Sequence, residues 1–445
     1  MRTITVLTSC LGLFLGACGN QNIPPETSDK PRSEQWMEDI SFFEHEFVDK
    51  AKTYTDSTRV ATKNLLVDLK KNVDDLSDFQ IRLELSKAVV FADNAHTSAP
   101  LPLMEKIPLR FYRFSDGIHV VKTDTIFSRY LGAKLIKVNS IPVNQLERLL
   151  FPYTPGIESN KKITTINWIA APKILYELGL GDKDSITLSL VKGPDTLDVT
   201  VGTKKMEKDR SWFKAWANLY PSPDKETPWN FLKNDIDSMP LYLRNAEEGV
   251  FYSFHDEEKM AYFQITSFWD DCPDIKERIQ EFLKTLKTKS NYDVVMDLRF
   301  YTGGDYGFFT KLATTPPKLI GPNQKIFLVL SEKTYSAGIV TAARIKHYAK
   351  DKLVIVGEEV GDRLKFWAEG AVITLPHSKI RIYNAQKEHD WKDNKRGLSR
   401  THLANFFHGV PAKNLNLDQE IKLDFQSYMN NIDPVWEWIV SQSKH

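Results

Sequence analysis

A serine that opens a helix and a glycine pair one strand earlier are residues that together could carry acyl transfer. Ile326-Phe327-Leu328-Val329-Leu330 reads as a strand running into Thr334-Tyr335-Ser336-Ala337-Gly338, and Val294-Val295-Met296-Asp297-Leu298-Arg299 runs into Gly303-Gly304. A hydroxyl at a helix start lies beside backbone N–H groups that have no intrahelical partner. Glycine, lacking a Cβ, lets a further N–H approach a substrate carbonyl. Ser336 is therefore a candidate nucleophile, with the N–H of Ala337 and one from Gly303 or Gly304 as candidate oxyanion donors. The same serine could serve only as an N-cap for the helix from Ala337 to Tyr348, and the glycines only as turn residues.

Other chemistries find no constellation. The ten histidines are scattered, no His-Glu-x-x-His or Cys-x-x-Cys spacing occurs, and His402 with His408 is too sparse a pair for zinc, so neither a metal nor a cofactor is expected. Gly303-Gly304 is not part of a phosphate-cradling loop. A net charge of +1 with 26% charged residues gives no basic excess to recruit nucleic acid, and Lys284, Lys287 and Lys289 read as a solvated helix face.

Around these residues the chain resembles the C-terminal-processing (tail-specific) serine peptidases and their tricorn-type relatives. The resemblance rests on Asp297-Leu298-Arg299 before Gly303-Gly304, on Tyr335-Ser336-Ala337, and on Gly357-Glu358 after Leu353-Val354-Ile355-Val356. Weaker similarity runs from about Met37 to Asp433-Pro434. It implies a peptidase acting on polypeptides through Ser336, with the oxyanion held by Ala337 and Gly303 or Gly304. It also implies a carboxylate, Glu358, that orients the base, although Glu358 could equally do no more than hold its own loop.

The base itself departs from one branch of that family. C-terminal-processing members carry Gly-Glu-x-Thr-x-Gly-Lys with the lysine as base, whereas this chain has Gly357-Glu358-Glu359-Val360-Gly361-Asp362-Arg363. Arginine stays protonated in proteins and cannot accept the serine proton. Lys365, two residues on, is an alternative base if desolvation lowers its pKa. Tricorn-type relatives use a histidine from an earlier domain, in an Asp-Gly-His-Thr context that Asn94-Ala95-His96-Thr97 resembles with asparagine for aspartate. His96 is accordingly the expected base, its ordinary pKa being suited to accepting and returning a proton. Asp297 and Arg299 read as an internal ion pair, and Tyr301 stands where relatives often have asparagine. The missing lysine, Asn94 and Tyr301 keep open an inactive relative that binds peptides or envelope partners. Hydrolysis of a non-peptide ester is a third reading.

The N-terminus reads as a secretory leader. Arg2 precedes an apolar run from Ile4 to Leu15 that is too short to span a bilayer, and Leu15-Gly16-Ala17-Cys18 resembles a bacterial lipoprotein cleavage box. Cleavage before Cys18 would leave a cysteine to be lipidated and would tether the protein to a membrane of the bacterial cell envelope. Cys10 would leave with the leader, so Cys272 alone remains in the folded part, without a disulfide partner.

The elements that must position the site follow a proline-containing tether of residues 18–35. A helical region of residues 36–101 includes the capping box Ser77-Asp78-Phe79-Gln80, with a helix ending near Asn94 and His96 in the loop beyond it. Residues 102–205 alternate with period two: a hairpin turning at Asp116-Gly117, a stretch Leu131 to Val143 that looks like the central strand and turn of a PDZ domain, and paired runs about Gly193-Pro194. Gly156 to Gly181 reads as an insertion. Residues 206–445 hold a strand–helix alternation from Tyr262 to Gly357, which predicts a mainly parallel sheet with reactive groups at strand C-termini. The expected fold class is α/β within an α+β multidomain chain: helical region, PDZ-like β domain and a ClpP/crotonase-like protease core.

Overall fold

The computed structural model describes residues 29–102, 105–204, 218–220, 229–266, 274–394 and 409–443. Cys10, Cys18, the leader, most of the tether and Cys272 lie outside the described residues.

Three helices, α1 (Arg32–Phe43), α2 (Asp56–Lys71) and α3 (Asp78–Val90), pack their apolar faces around Ile40, Phe43, Leu66, Leu69, Ile81 and Leu85. The box at the start of α3 is reciprocal. The Gln80 N–H donates to Ser77 Oγ at 3.1 Å, and the Ser77 N–H donates to Gln80 Oε1 at 2.9 Å. Helix α3 stops at Val90, which releases Asn94 to Ser98 as a loop.

The next unit is an antiparallel sheet in the order β1 (Leu109–Phe114), β2 (Gly117–Asp124), β3 (Lys134–Val138), β5 (Ser185–Lys192), β6 (Asp195–Gly202), with β4 (Ile141–Pro142) on β3 and β7 (Trp229–Phe231) on β2. Three helices, α4 (Val143–Leu150), α5 (Glu158–Trp168) and α6 (Pro172–Glu177), occupy the stretch between β4 and β5, and α5 and α6 fall within the expected insertion from Gly156 to Gly181. Leu146, Leu150, Ile174 and Leu175 close the core beneath the sheet.

The six-stranded sheet that follows has the order β15 (Gln419–Glu420), β12 (Leu353–Gly357), β11 (Ile326–Leu330), β10 (Asp293–Asp297), β9 (Met260–Ile265), β8 (Val250–His255). Only β8 with β9 is antiparallel. Its central strands β10 and β11 are buried at every position, the pattern of a sheet covered on both faces. The turns after β10 and β11 lie side by side at the C-terminal edge, where the sequence placed its chemistry.

A long hairpin, β13 (Lys365–Thr374) with β14 (Arg381–Asp390), was not anticipated. Its far end contributes Leu375, Ile380 and Ile382 to the core of α1–α3, and its near end contributes Phe366 and Ala368 to a cluster with Ile339, Val340 and Ala343. The hairpin thus joins the N-terminal helices to the helix Ala337–Ala349 that Ser336 precedes.

Candidate active site

The nucleophile's turn is stitched to the strand beside it. Thr334 Oγ1 donates to the Leu298 carbonyl at 2.9 Å, and the Tyr335 N–H donates to the Tyr301 carbonyl at 3.1 Å. Between these anchors Ser336 adopts φ +52° and ψ −118°, a region that non-glycine residues enter at a cost of roughly 1–3 kcal/mol. Its hydroxyl makes no cap bond to the helix. Instead Ser336 Oγ lies 3.0 Å from His96 Nε2, across 240 residues of sequence.

The loop that carries His96 is clamped to the hairpin. Asn94 Nδ2 donates to the Trp367 carbonyl at 3.0 Å and to Thr97 Oγ1 at 3.0 Å, while Asn94 Oδ1 accepts the Trp367 N–H at 2.9 Å. Only an amide can donate and accept in this way, since an ionised carboxylate has no donor. Asparagine at this position therefore has a structural reason. Ser98 and Tyr383 exchange both backbone bonds, at 3.1 and 2.8 Å, fixing the far end of the loop.

Held so, the imidazole sits between two rings, stacked on Tyr335 at 4.6 Å and on Phe366 at 5.1 Å between centroids. Its side chain is 7% exposed, and burial lowers the pKa to about 3, so the ring is a neutral base at ordinary pH. The Tyr335 hydroxyl lies 2.9 Å from Nδ1. If Nε2 is to accept the serine proton, Nδ1 carries the hydrogen and the tyrosine oxygen accepts it. Beyond it, Asp362 Oδ2 lies 3.9 Å from Nδ1. That buried oxygen has no hydrogen-bond partner, whereas Oδ1 accepts the Arg363 N–H at 2.8 Å. Burial pushes the Asp362 carboxyl up to about 6.

Beside Ser336 lies the glycine turn. Gly303 and Gly304 take φ +147° and +122°, and a Cβ added at Gly303 would stand 3.3 Å from Ser336 Cβ and 3.6 Å from its Oγ. The N–H groups of Gly303, Gly304 and Ala337 have no hydrogen-bond partner among the described residues. These unpaired donors beside a serine that is bonded to a buried histidine could stabilise a tetrahedral oxyanion.

Two expected residues are placed otherwise. The Glu358 N–H extends the strand ladder by donating to the Leu330 carbonyl at 3.0 Å, and the half-buried carboxylate lies in the fields of Lys333, Glu332 and Lys422, without a contact to His96 among the described residues. The structure thus assigns the position next to the imidazole to Asp362 in place of Glu358. The cause is a tertiary bond: the Gly361 N–H donates to the Thr334 carbonyl at 2.9 Å and folds the chain back over the serine turn. Lys365 is 50% exposed and pairs with Glu388 at 2.9 Å. That pairing raises its pKa, the opposite of what a base requires. Sequence reasoning missed Asp362 and Tyr335, whose available signal was adjacency to motifs already singled out.

The ion pair read from Asp297 and Arg299 is present, and larger than expected. Arg299 Nε donates to Asp297 at 3.0 Å, and its two terminal nitrogens reach the Asp433 carboxylate at 3.1 and 2.9 Å.

No protein-family model matches the sequence, and no curated protein does. Among solved structures, mature CPAF complexed with lactacystin is similar at TM-score 0.58 and 12% identity, over 93% of this chain and 98% of that one. Mature CPAF in a second crystal structure gives 0.56 at 12% identity, covering 93% and 97%. The tricorn protease is similar at TM-score 0.38 and 13% identity, over 93% of this chain and 37% of that one. The chain therefore shares the multidomain α/β fold of CPAF over nearly its whole length.

Proposed function

We propose that this protein is a serine endopeptidase that cleaves polypeptides through an acyl-enzyme at Ser336. One observation carries the reading: Ser336 Oγ forgoes its helix cap and meets a buried neutral imidazole at 3.0 Å, beside unpartnered backbone N–H groups. The fold it shares with CPAF supports the same reading.

In the proposed cycle His96 Nε2 takes the proton of Ser336 as Oγ bonds to the scissile carbonyl carbon. The carbonyl oxygen becomes an oxyanion facing the N–H of Ala337 and that of Gly303 or Gly304. The imidazolium, steadied at Nδ1 by the Tyr335 oxygen and the Asp362 carboxylate, then returns the proton to the departing amine as the C–N bond breaks. Water repeats the sequence on the ester, releasing the acid and restoring the serine. Deleting one oxyanion donor typically costs roughly 10²–10³ in rate, so the glycine turn and the helix start both matter to the chemistry.

Protein lacking the leader should be labelled by a serine-directed fluorophosphonate and should cleave unfolded polypeptides, and Ser336→Ala should lose both. Absence of labelling in the wild type, with retained peptide binding, would instead favour an inactive peptide-binding relative. We also place the protein at the bacterial cell envelope, anchored through lipid on Cys18. Incorporation of an alkyne fatty acid in cells that Cys18→Ser abolishes is the expected result, and equal incorporation by both would remove the anchor.

A further inference from the structure

The histidine at the centre of the site belongs to a longer column of rings. Tyr335, His96 and Phe366 stack in sequence, and Phe366 stacks on His389 at 5.0 Å with an interplanar angle of 2°. His389 is followed by Trp391 at 6.1 Å. The column rests on Ile339, Val340 and Ala343 of the helix that Ser336 precedes.

His389 is a second buried imidazole that the proposed chemistry does not use, and its hydrogen bonds fix its state. The Trp391 indole, which can only donate, points Nε1–H at His389 Nδ1 at 3.3 Å. Nδ1 is therefore the acceptor and Nε2 carries the proton, which it donates to Glu369 Oε2 at 2.7 Å. A second proton on His389 would have to displace the indole bond. Glu369 is thereby the acceptor that holds the His389 ring in the stack.

The backbone is distorted to make this contact. Phe366 pairs with His389 across the hairpin and shares its face, so alternation would turn Glu369 to the other face, with Trp367. At Glu369 the ladder is interrupted and φ is +21°, and the carboxylate returns to His389. Strain of this kind persists where the surroundings enforce it, often at functional sites.

We propose, on the reading of His96 as the base of a serine peptidase, that His389 and Glu369 are positioning residues acting on His96 through Phe366. The stack holds the imidazole plane toward Ser336, and the Glu369 carboxylate behind it, 44% exposed and so partly screened by solvent, favours the imidazolium that forms as the serine attacks. The charged and titratable groups around His96 are Asp362 with Arg363 and Asp93 on the loop side, Tyr335 below, and Glu369, His389 and Lys387 on the hairpin. Of these, Glu369 and Asp362 favour a charged His96, and a protonated His389 would oppose it. Solvent screening of the half-exposed Glu369 limits its effect on the rate to about several-fold.

The test compares wild type with Glu369→Gln, His389→Phe and His389→Ala by fluorophosphonate labelling rate and peptide turnover, with 15N spectra of the histidine rings. Glu369→Gln should lower kcat about several-fold at unchanged KM. His389→Phe, which keeps the stack, should be less impaired than His389→Ala, and the wild-type spectrum should show His389 protonated at Nε2 alone. Labelled, active wild type with Glu369→Gln within twofold of it would overturn this inference and leave the peptidase reading intact. If wild type is not labelled, the peptidase reading fails. The ring spectra then decide the coupling: His96 signals that move on Glu369→Gln support it, and signals that do not move refute it.

Discussion

On the proposed mechanism, Asp362 would act in opposite senses on catalysis and on folding. Its carboxyl titrates near 6 in the folded protein against an ordinary 3.8, because burial disfavours the charge. The folded state thus holds its proton more tightly than the unfolded chain, so this group lets stability fall as pH rises from about 4 to about 6. Asp362→Asn should raise stability at pH 7 by on the order of 1–3 kcal/mol, read from denaturant midpoints. The same substitution should cut kcat/KM by roughly 10²–10⁴, because the imidazolium loses its counter-charge. His96, lowered to about 3, is already neutral throughout that range. The acid limb of the wild-type profile should therefore lie near pH 6 and vanish in Asp362→Asn, whereas a limb that persists there would return the role to another group. On folding, His96 has the reverse sign: the unfolded chain takes up a proton first, so its contribution is lost as pH falls from about 6.5 toward 3.

Among the elements, the hairpin β13–β14 holds the loop that carries the proposed base. It presents the Trp367 backbone to Asn94 and the Tyr383 backbone to Ser98, so the His96 loop is built as an added partial strand on its edge. Asn94→Ala removes three hydrogen bonds and leaves the Trp367 N–H and carbonyl without that partner. The expected loss is about 1–3 kcal/mol in stability. It should come with a drop in fluorophosphonate labelling larger than that loss explains, because the imidazole is no longer registered on Ser336. Equal labelling in Asn94→Ala would show that the ring stack alone positions His96.

For the whole molecule, the C-terminal segment is tied to the sheet at the Asp297-Leu298-Arg299 motif. Arg299 lies between Asp297 and Asp433, over the Tyr242 ring at 4.4 Å, and the Tyr262 hydroxyl donates to Asp297 at 2.7 Å. Asp433 also caps the helix Pro434–Gln442 by accepting the Val435 N–H, and that helix places Ile439 on the underside of the sheet. The Asp-Leu-Arg motif is thus explained by closure of the fold. Asp433→Ala leaves a buried guanidinium with one counter-charge in place of two, and should cost about 3 kcal/mol, toward the low end for a broken buried pair. Unchanged thermal unfolding would show that the C-terminal helix is held by packing alone.

Period and punctuation in the sequence determined the local elements. The reciprocal cap at Ser77, the apolar strands that end before Gly303 and Ser336, and the β hairpins of the second unit follow from interactions within a few residues, or from the need to bury one face. The hairpin β13–β14 escaped notice because its residues mix charged and aromatic side chains and it is buried against two different partners. Whether Asp362 or Glu358 faces the imidazole was decided by a single long-range bond, Gly361 to Thr334. Contacts between His96 and Ser336, or between Arg299 and Asp433, join segments more than a hundred residues apart. No periodicity within one segment encodes such distances. They exist only once the sheet, the hairpin and the helices have packed, because burial of the shared apolar faces brings those polar groups to one place.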